Sequence, residues 1–408
     1  DPTAPMIAFW VAFGALAVGD LAISARRRLA IDVSAPREIF SGERAAVILS
    51  FDPARPPPPG LTGRLRWPEG LSGPDGAAVT VGANGAPEVR FDVTARRRGR
   101  WRLDAVWLSW PSRLGLFEQL PRVALDREIA VTPNIRPIQS GQIDVQVRSA
   151  LFGVKENALV GEGSDFHQLR DFVNGMDHRR IDWKRSARRR ELVAKEMRAE
   201  RNHHVVLALD NGYLMREEIA GLPKIDHQVN AALAAGWAAV LGGDQIGLFA
   251  FDARPRLYAP PDPGRAAFSR LRSRVANLEY RSVESNHTLA MAHLHQKLRR
   301  RSLVLLFSDF VDPTSAELLV ENMAMLNRHH VIVFVTLRDP ALRAVAAGAA
   351  GSLTGVARAV SAAQMLKERR VVLERLSRLG VLVIDSDPGA LSMRVVSAYL
   401  NIKARELI

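Results

Sequence analysis

The sequence predicts a multidomain protein with an N-terminal transmembrane helix, a β-sandwich and a C-terminal doubly wound α/β domain. Three observations indicate this: an apolar run at the N-terminus, a region of short alternating segments with turn signals, and continuous apolar runs separated by helical stretches. At 408 residues the chain is long enough for roughly two or three folded units. The predicted parts are an anchor at 1–29, a β-sandwich domain at 30–135, a connecting segment at 136–200 and an α/β domain at 201–408.

The segment Met6–Ala25 predicts the membrane anchor, because it is apolar except for Gly14, Gly19, Asp20 and Ser24. As a helix it would span about 30 Å at about 1.5 Å per residue, the thickness of the hydrocarbon core. The basic run Arg26–Arg28 follows the apolar residues, the reverse of a signal peptide. The positive-inside tendency then predicts an inner (cytoplasmic) membrane protein whose soluble domains face the cytoplasm. Asp1–Pro5 would suit a turn after a preceding membrane helix, which would make the anchor the second helix of a hairpin.

The next hundred or so residues read as short β segments separated by turn residues. Apolar and other residues alternate with period two at Leu61, Gly63, Leu65 and Trp67, and Asn84-Gly85 is a hairpin turn signal. This pattern is typical of a β-sandwich, and we predict the immunoglobulin-like type. The candidate strands are Ala45–Phe51, Leu61–Trp67, Ala78–Val81, Glu88–Thr94, Trp101–Ser109 and Ala124–Val131.

The C-terminal half contains continuously apolar runs that alternate with helical stretches, which predicts parallel strands covered on both faces. In such a sheet the binding site lies at the carboxyl ends of the strands. Two of the runs end in Asp210 and Asp309, and a third candidate loop contributes Thr288. The predicted strands are His204–Asp210, Gln245–Phe251, Ser302–Asp309, His330–Thr336 and Val381–Asp385.

Charge and cysteine content limit the function classes. The chain has 56 basic and 43 acidic residues, which gives a net charge of +13. The excess basic residues lie in short runs without interleaved aromatic residues, and this pattern does not favour a nucleic-acid partner. The chain has no cysteine, which excludes disulfides, zinc–thiolate sites and a thiol nucleophile. No catalytic residue and no enzyme activity are predicted.

The segment Gly161–Met197 carries the most specific pattern, and it resembles the family known as domain of unknown function fifty-eight. The anchor and the stretch Gly99–Phe117 are also similar to that family. This chain departs from the family at three positions: it has Met176 where the family usually has an acidic residue, His178 where proline is common, and Asp165 where glutamate is common. The matching positions are Gly161, Gly163, Phe166, Leu169-Arg170, Gly175, Asp177, Arg179 to Lys184, Ser186 to Arg188 and Leu192-Val193.

Charges of both signs surround aromatic residues in this segment, and two interpretations stay open. The side chains could form a partner-binding surface, because arginine–carboxylate forks around a large aromatic ring are typical of binding hot spots. They could equally form an inter-domain clamp with Trp183 buried. The candidate residues are Phe166, Arg170, Asp177, Arg179, Arg180, Asp182, Trp183, Lys184 and Arg188.

The resemblance also implies a C-terminal domain similar to von Willebrand factor A domains, many of which hold a divalent ion. The corresponding metal ligands here would be Asp210, Thr288 and Asp309, and Mg²⁺ prefers such oxygen ligands. The first loop reads Asp-Asn-Gly-Tyr-Leu from Asp210, so both serine positions have lost their hydroxyls. No cofactor is therefore expected, and Mg²⁺ is the ion that this degenerate site would take. We interpret the paired and clustered histidines as surface and strand-start residues: His203-His204, His287, His293, His295 and His329-His330.

The predicted function is that of a membrane-anchored scaffold or adaptor. The resemblance implies a MoxR-type AAA+ ATPase as partner, in the assembly or activation of client proteins. The alternative is a metal-dependent ligand-binding receptor that uses the degenerate site.

Overall fold

The computed structural model describes residues 3–25, 29–82, 85–157, 165–173, 176–198, 203–310, 313–348 and 352–408. The chain divides into two compact units, Asp1–Asn134 and Ile135–Ile408.

A long apolar helix, α1 (Thr3–Ala25), begins the N-terminal unit. Its segment Met6–Ser24 has a mean hydropathy of 2.0 and only 6% of it is buried, so by length and composition the helix can cross a membrane. The predicted turn over Asp1–Pro5 is wrong for residues 3–5, which are helical, and residues 1–2 lie outside the described range. Pro5 does not prevent the helix, because the first turn has no partner for its backbone N–H groups. The basic run 26–28 also lies outside the described residues.

Mostly antiparallel strands form the rest of this unit, in the pairing order β1-β3-β7-β6-β4-β8-β10-β2. The strand β6 joins two sets of strands, because its first residues pair with β4 and its last with β7. The described strands are β1 (Ile31–Ser34), β2 (Glu38–Phe40), β3 (Arg44–Phe51), β4 (Thr62–Leu65), β5 (Leu71–Ser72), β6 (Gly76–Val81), β7 (Pro87–Ala95), β8 (Gly99–Pro111), β9 (Glu118–Gln119) and β10 (Arg122–Thr132).

Alternation along the strands builds the core of the unit. On β7, Val89, Phe91 and Val93 are buried while Arg90 and Asp92 point outward, as period two requires. Both sets of strands contribute to one apolar cluster, and each large side chain buried in it contributes roughly 1.5–3 kcal/mol. The sequence missed β1, β2, β5 and β9, which are only two to four residues long.

The C-terminal unit begins with α2 (Arg136–Gln139) and α3 (Gln142–Asn157), which the sequence assigned to a connecting segment. Ile143 and Val147 of α3 are buried, and Trp237 Nε1 donates a hydrogen bond to Asp144 at 2.7 Å. The helix is therefore packed on the C-terminal unit rather than serving as a linker. It is followed by the hairpin of β11 (Asp165–Asp171) and β12 (Val193–Arg198), with α4 (Trp183–Arg189) between the two strands.

A six-stranded sheet in the order β17-β16-β13-β18-β19-β20 forms the centre of this unit. Its strands are parallel except for the edge strand β17, which is antiparallel to β16. The described strands are β13 (His204–Asp210), β14 (Glu218–Ile219), β15 (Leu222–Pro223), β16 (Gln245–Phe251), β17 (Pro255–Pro263), β18 (Ser302–Phe307), β19 (Val331–Leu337) and β20 (Leu382–Ser386), of which β14 and β15 form a separate small hairpin. The helices are α5 (Lys224–Leu241), α6 (Gly264–Ala276), α7 (His287–Lys297), α8 (Pro313–Asn327), α9 (Pro340–Ala347), α10 (Leu353–Arg378) and α11 (Leu391–Ala404).

The strand order fixes where a site can form. From β13 the chain continues to β16 on one side of it, whereas β18 lies on its other side and continues to β19. The carboxyl ends of β13 and β18 therefore flank a topological switch point, where open α/β sheets leave a crevice. Asp210 ends β13, and Ser308-Asp309 follow β18.

Candidate functional site

Asp210 is the centre of a buried hydrogen-bond network at the switch point. Its side chain is almost fully buried, and it accepts hydrogen bonds from the Gly212 N–H at 2.9 Å, from Ser308 Oγ at 2.6 Å and from Ser285 Oγ. His287 Nε2 lies 3.2 Å from the second carboxylate oxygen. The carboxylate is thus held by donors from three loops.

Gly212 is required by this packing. A Cβ at this position would lie 1.9 Å from Ser285 Oγ, so the Ser285 hydroxyl would have to move away. The glycine in the position after Asn211 therefore lets the Ser285 hydroxyl reach Asp210.

Ser308, His287 and Asp210 do not form a catalytic triad. His287 Nε2 lies 2.8 Å from Ser308 Oγ, and the same nitrogen faces Asp210. In a triad the carboxylate binds the other ring nitrogen, which orients the imidazole toward the serine. Ser308 is also fully buried, so this geometry fits a structural network better than a nucleophile.

Asp309 is held by two cations that the sequence did not reveal, the buried Lys224 and the partly buried Arg369. Lys224 Nζ donates to one carboxylate oxygen at 2.8 Å, and Arg369 Nη1 donates to the other at 2.5 Å. Thr336 Oγ1, at 3.2 Å, and the Phe310 N–H, at 3.0 Å, complete the set. Both carboxylate oxygens are consequently neutralised by side chains of this chain.

The charges in this network stabilise one another. Burial by itself would raise the pKa of Asp309, but Arg369 and Lys224 outweigh it and hold the pKa below its usual range. Burial likewise opposes the charged form of Lys224, yet Asp309 and then Glu217, at 2.5 Å, raise the pKa of the ammonium above its usual range. Asp309, Lys224 and Arg369 are therefore ionised at neutral pH.

Thr288 lies in the first turn of α7, next to His287. It is exposed, and its hydroxyl accepts a hydrogen bond from Asn322 Nδ2 at 2.9 Å. It lines a depression of about 350 Å³ together with Ser285, His287 and other residues of this loop. The structure thus connects Asp210 and Ser308-Asp309 directly, while Thr288 lies at the rim.

These residues do not suit a resident divalent cation at Asp309. A metal ion bound there would face an ammonium and a guanidinium that already occupy both carboxylate oxygens, and Mg²⁺ needs free oxygen ligands. Among the residues that the structure describes, no group of three or more His, Cys, Asp or Glu side chains is arranged to hold a metal ion.

The signature segment forms a second candidate surface, on α4 and the turn before it. Asp177 accepts a hydrogen bond from the Arg179 N–H at 2.9 Å, and Asp182 caps α4 by accepting one from the Arg185 N–H at 3.1 Å. The Arg185 N–H, helped by Lys195, holds the pKa of Asp182 below its usual range. The predicted arginine forks are thus replaced at these two carboxylates by backbone caps.

Trp183 is 66% exposed on α4. Lys184 and Arg188 are also exposed and lie four residues apart, on one face of the helix. The predicted burial of Trp183 is therefore not seen within this unit. Arg170, Asp177 and Arg179 are exposed as well, whereas the side chains of Phe166 and Arg180 lie outside the described part of the segment.

Three histidines, His295, His329 and His330, cluster near the start of β19, with ring centroids of His330 and His295 separated by 5.8 Å. His330 lies directly before β19, as predicted for a strand-start residue, but it is buried rather than at the surface, and neither ring nitrogen has a hydrogen-bond partner. Burial, reinforced by His295, His329 and Arg301, lowers the pKa of His330 to about 4. A sequence pattern of adjacent histidines gives no sign of this burial.

Comparison with known proteins supports the resemblance found in the sequence. Residues 168–361 match the family described as Protein of unknown function DUF58. An uncharacterized protein of Mycobacterium tuberculosis is 24% identical over 204 residues, which cover 48% of this chain and 63% of the relative. The chain thus spans less than two thirds of that curated relative.

Two solved structures show a low similarity to about half of the chain. BatB from Bacteroides thetaiotaomicron has a TM-score of 0.31 at 10% identity, over 49% of this chain and 99% of that one. An aerotolerance-related membrane protein from Bacteroides fragilis has a TM-score of 0.31 at 9% identity, over 49% and 98%. Scores this low transfer neither a detailed fold nor a function.

Proposed function

We propose that the chain is a non-enzymatic, membrane-anchored adaptor that binds a protein partner through the exposed face of α4. The observation that carries this proposal is Trp183, a large aromatic side chain exposed over 66% of its surface. Exposed tryptophan and arginine side chains dominate binding energy when a partner covers them. The carboxylate caps at Asp177 and Asp182 hold this surface in place before binding, which lowers the entropic cost of association.

The chemistry of the surface defines the partner. Lys184 and Arg188 are exposed beside Trp183 on α4, so a fitting partner offers an apolar pocket with acidic residues around it. The family resemblance implies a MoxR-type AAA+ ATPase, acting with this chain on client proteins, and we propose that ATPase as the partner. The anchor α1 would hold the complex at the cytoplasmic membrane, with both units in the cytoplasm.

We also assign the C-terminal sheet to the von Willebrand factor A type and the N-terminal strands to an immunoglobulin-like sandwich. The strand order with its antiparallel edge β17, and the acidic residues at the switch point, support the first assignment. The single core shared by two sets of strands supports the second.

Binding of a purified MoxR-type ATPase to the detergent-solubilised full chain tests the proposal. Trp183→Ala should weaken the complex by about 30-fold or more, because hot-spot truncations cost roughly 2 kcal/mol or more. Leu353→Ala is the matched control, since Leu353 is 89% exposed elsewhere on the same unit and should leave the affinity unchanged. Equal affinities for both variants, or no complex with the unmodified chain, would contradict the proposal.

No observation favours the alternative of a metal-dependent receptor that uses Asp210, Thr288 and Asp309. Lys224 and Arg369 supply the positive charge that a metal ion would bring to Asp309. Calorimetric titration of the full chain with millimolar Mg²⁺ or Mn²⁺ should give no binding heat. Saturable heat that is lost in Asp309→Asn would restore the receptor hypothesis.

A further inference from the structure

Asp20 is the one acidic residue within the apolar span of α1, and it is buried although most of that helix is exposed. Its carboxylate accepts hydrogen bonds from Ser112 Oγ and from the Leu114 N–H at 3.0 Å. One turn later, Ser24 Oγ accepts a hydrogen bond from the Arg113 N–H at 3.2 Å. The loop that joins β8 to β9 is therefore fastened to the membrane anchor by three consecutive residues.

The attachment point lies inside the apolar span. The span ends at Ser24, and Asp20 precedes it by four residues, which corresponds to about 6 Å at a helical rise of about 1.5 Å per residue. Segments that lie at a membrane interface bury their apolar face by about 5–10 Å. If α1 crosses a bilayer, the loop bound to Asp20 is at the boundary between headgroups and acyl chains.

The loop has the surface that such a position requires. Leu114 is 58% exposed, Leu116 41% and Phe117 39%, and Leu120 beyond β9 is 61% exposed. These side chains are not buried in their own unit, and the loop that carries most of them is hydrogen-bonded to α1. Exposed apolar patches that adjoin one another mark interaction sites with membranes or proteins.

The backbone of the loop is also prepared for an apolar environment. Ser112 N–H donates to the Phe117 carbonyl at 2.7 Å, Gly115 N–H donates to the Ser112 carbonyl at 3.0 Å, and Phe117 N–H donates to Ser112 Oγ at 3.0 Å. Together with the bonds to Asp20 and Ser24, these contacts satisfy most backbone donors of the loop. Non-helical backbone is tolerated at membrane depth only when its polar groups have partners.

We propose that the loop Ser112–Leu120 is a second membrane-contacting element, which inserts its leucines and Phe117 into the lipid interface beside α1. This inference rests on the proposed membrane anchoring. Arg113, the exposed cation of the loop, would remain at the level of the lipid phosphates, as arginine does at interfaces. The loop in turn supplies the donors that make a carboxylate tolerable in the span, so Asp20 and the loop require one another.

Single labelled cysteines test the proposal directly, because the chain has no cysteine of its own. A polarity-sensitive fluorophore is attached to Leu116→Cys, and the full chain is reconstituted into phosphatidylcholine vesicles with doxyl quenchers on the acyl chains or iodide in the buffer. Leu16→Cys, 58% exposed on α1, reports on the anchor, and Val81→Cys, 79% exposed on β6, is the aqueous control. We expect doxyl lipids to remove most of the emission at positions 16 and 116, and iodide to quench position 81 alone.

The controls separate the two hypotheses. Quenching by doxyl at position 16, combined with iodide quenching at position 116, would overturn the loop proposal while the anchor stands. Iodide quenching at position 16 would overturn the membrane anchor and the loop proposal together. These vesicles contain no protein partner. If the loop were instead covered by a protein partner, the label at position 116 would be quenched by iodide, as at position 81.

A second variant tests the role of Asp20. Asp20→Ala removes the acceptor for Ser112 and Leu114, so the label at position 116 should become accessible to iodide while the label at position 16 stays protected. Asp20→Asn keeps a side-chain acceptor and should retain part of the protection. Unchanged quenching at position 116 in Asp20→Ala would overturn the mutual dependence of Asp20 and the loop.

Discussion

The ion network at Asp309 predicts a large and specific loss of stability when its charge is removed. Asp309→Asn keeps the size of the side chain but leaves Lys224 and Arg369 facing a neutral amide. Lys224 would keep Glu217, at 2.5 Å, and Arg369 would keep Asp385, at 3.7 Å. The variant therefore does not strand either cation completely.

The magnitude follows from burial. The side chain of Asp309 is 5% exposed, and those of Lys224 and Arg369 are 10% and 18% exposed. Breaking a buried pair by removing one partner costs about 3–5 kcal/mol, and the two remaining partners favour the lower end, about 3 kcal/mol. For a unit of this size that corresponds to a fall in Tm of roughly 6–12 °C.

The assay is thermal or denaturant unfolding of the detergent-solubilised chain at several pH values. The folded-state pKa of Asp309 lies below its usual range, so its contribution is fully present at neutral pH and is lost only as the pH falls below about 4. The difference between the unmodified chain and Asp309→Asn should therefore be constant from about pH 5 to 8 and shrink under strongly acidic conditions.

Asp262→Asn is the matched control, because it removes the same charge from an exposed pair with Arg270, whose side chains are 50% and 53% exposed. Exposed pairs contribute less than about 1 kcal/mol, so the Tm should change little. A comparable small effect in both variants would refute the reasoning that Asp309 is a buried, doubly paired carboxylate.

Three further predictions concern local packing. As the pH falls from 7.5 to 5, the C-terminal unit should lose about 2 kcal/mol of stability, because His330 becomes protonated in the unfolded state while its folded pKa is about 4. The variant His330→Phe should lose this pH dependence of unfolding. An unchanged pH profile in the variant would refute the prediction. Gly212→Ala should cost roughly 1–3 kcal/mol, since its Cβ would meet Ser285 Oγ at 1.9 Å, and adding Ser285→Ala should recover part of the loss measured by unfolding. Asp144→Ala should cost about 1–3 kcal/mol by leaving Trp237 Nε1 without its acceptor; hydrogen exchange in α3 should increase, and unchanged exchange would show that α3 is held by other contacts.

The central strands could be predicted because their sequences are continuously apolar. The run His204–Asp210 forms β13 with the predicted bounds, and Gln245–Phe251 likewise forms β16. The edge strand β17 was missed because it contains several prolines, which normally argue against a strand but are tolerated at a sheet edge. Continuously apolar runs indicate buried parallel strands, so they do not reveal an antiparallel edge strand such as β17.

The site could be predicted only in part. Asp210 and Asp309 follow apolar strands, and the rule for carboxyl ends brings them to one edge. Lys224 and Arg369 are separated from Asp309 by 85 and 60 residues in the chain, and no local pattern links them. A weak signal exists for Lys224, which lies in the first turn of an otherwise mostly apolar helix, where a cation is unfavourable unless an anion faces it.

Because Lys224 and Arg369 neutralise Asp309, a partner that binds at this edge of the sheet should not need a divalent ion. A divalent ion at such a site would make binding sensitive to chelators, because the metal would bridge two sets of oxygen ligands. Here Lys224 and Arg369 already neutralise Asp309 from within the chain. Complex formation at either candidate surface should therefore survive EDTA and weaken with added salt, since contacts made by exposed charges are screened. Loss of binding in EDTA with recovery in Mg²⁺ would mean that Lys224 and Arg369 do not take the place of a metal.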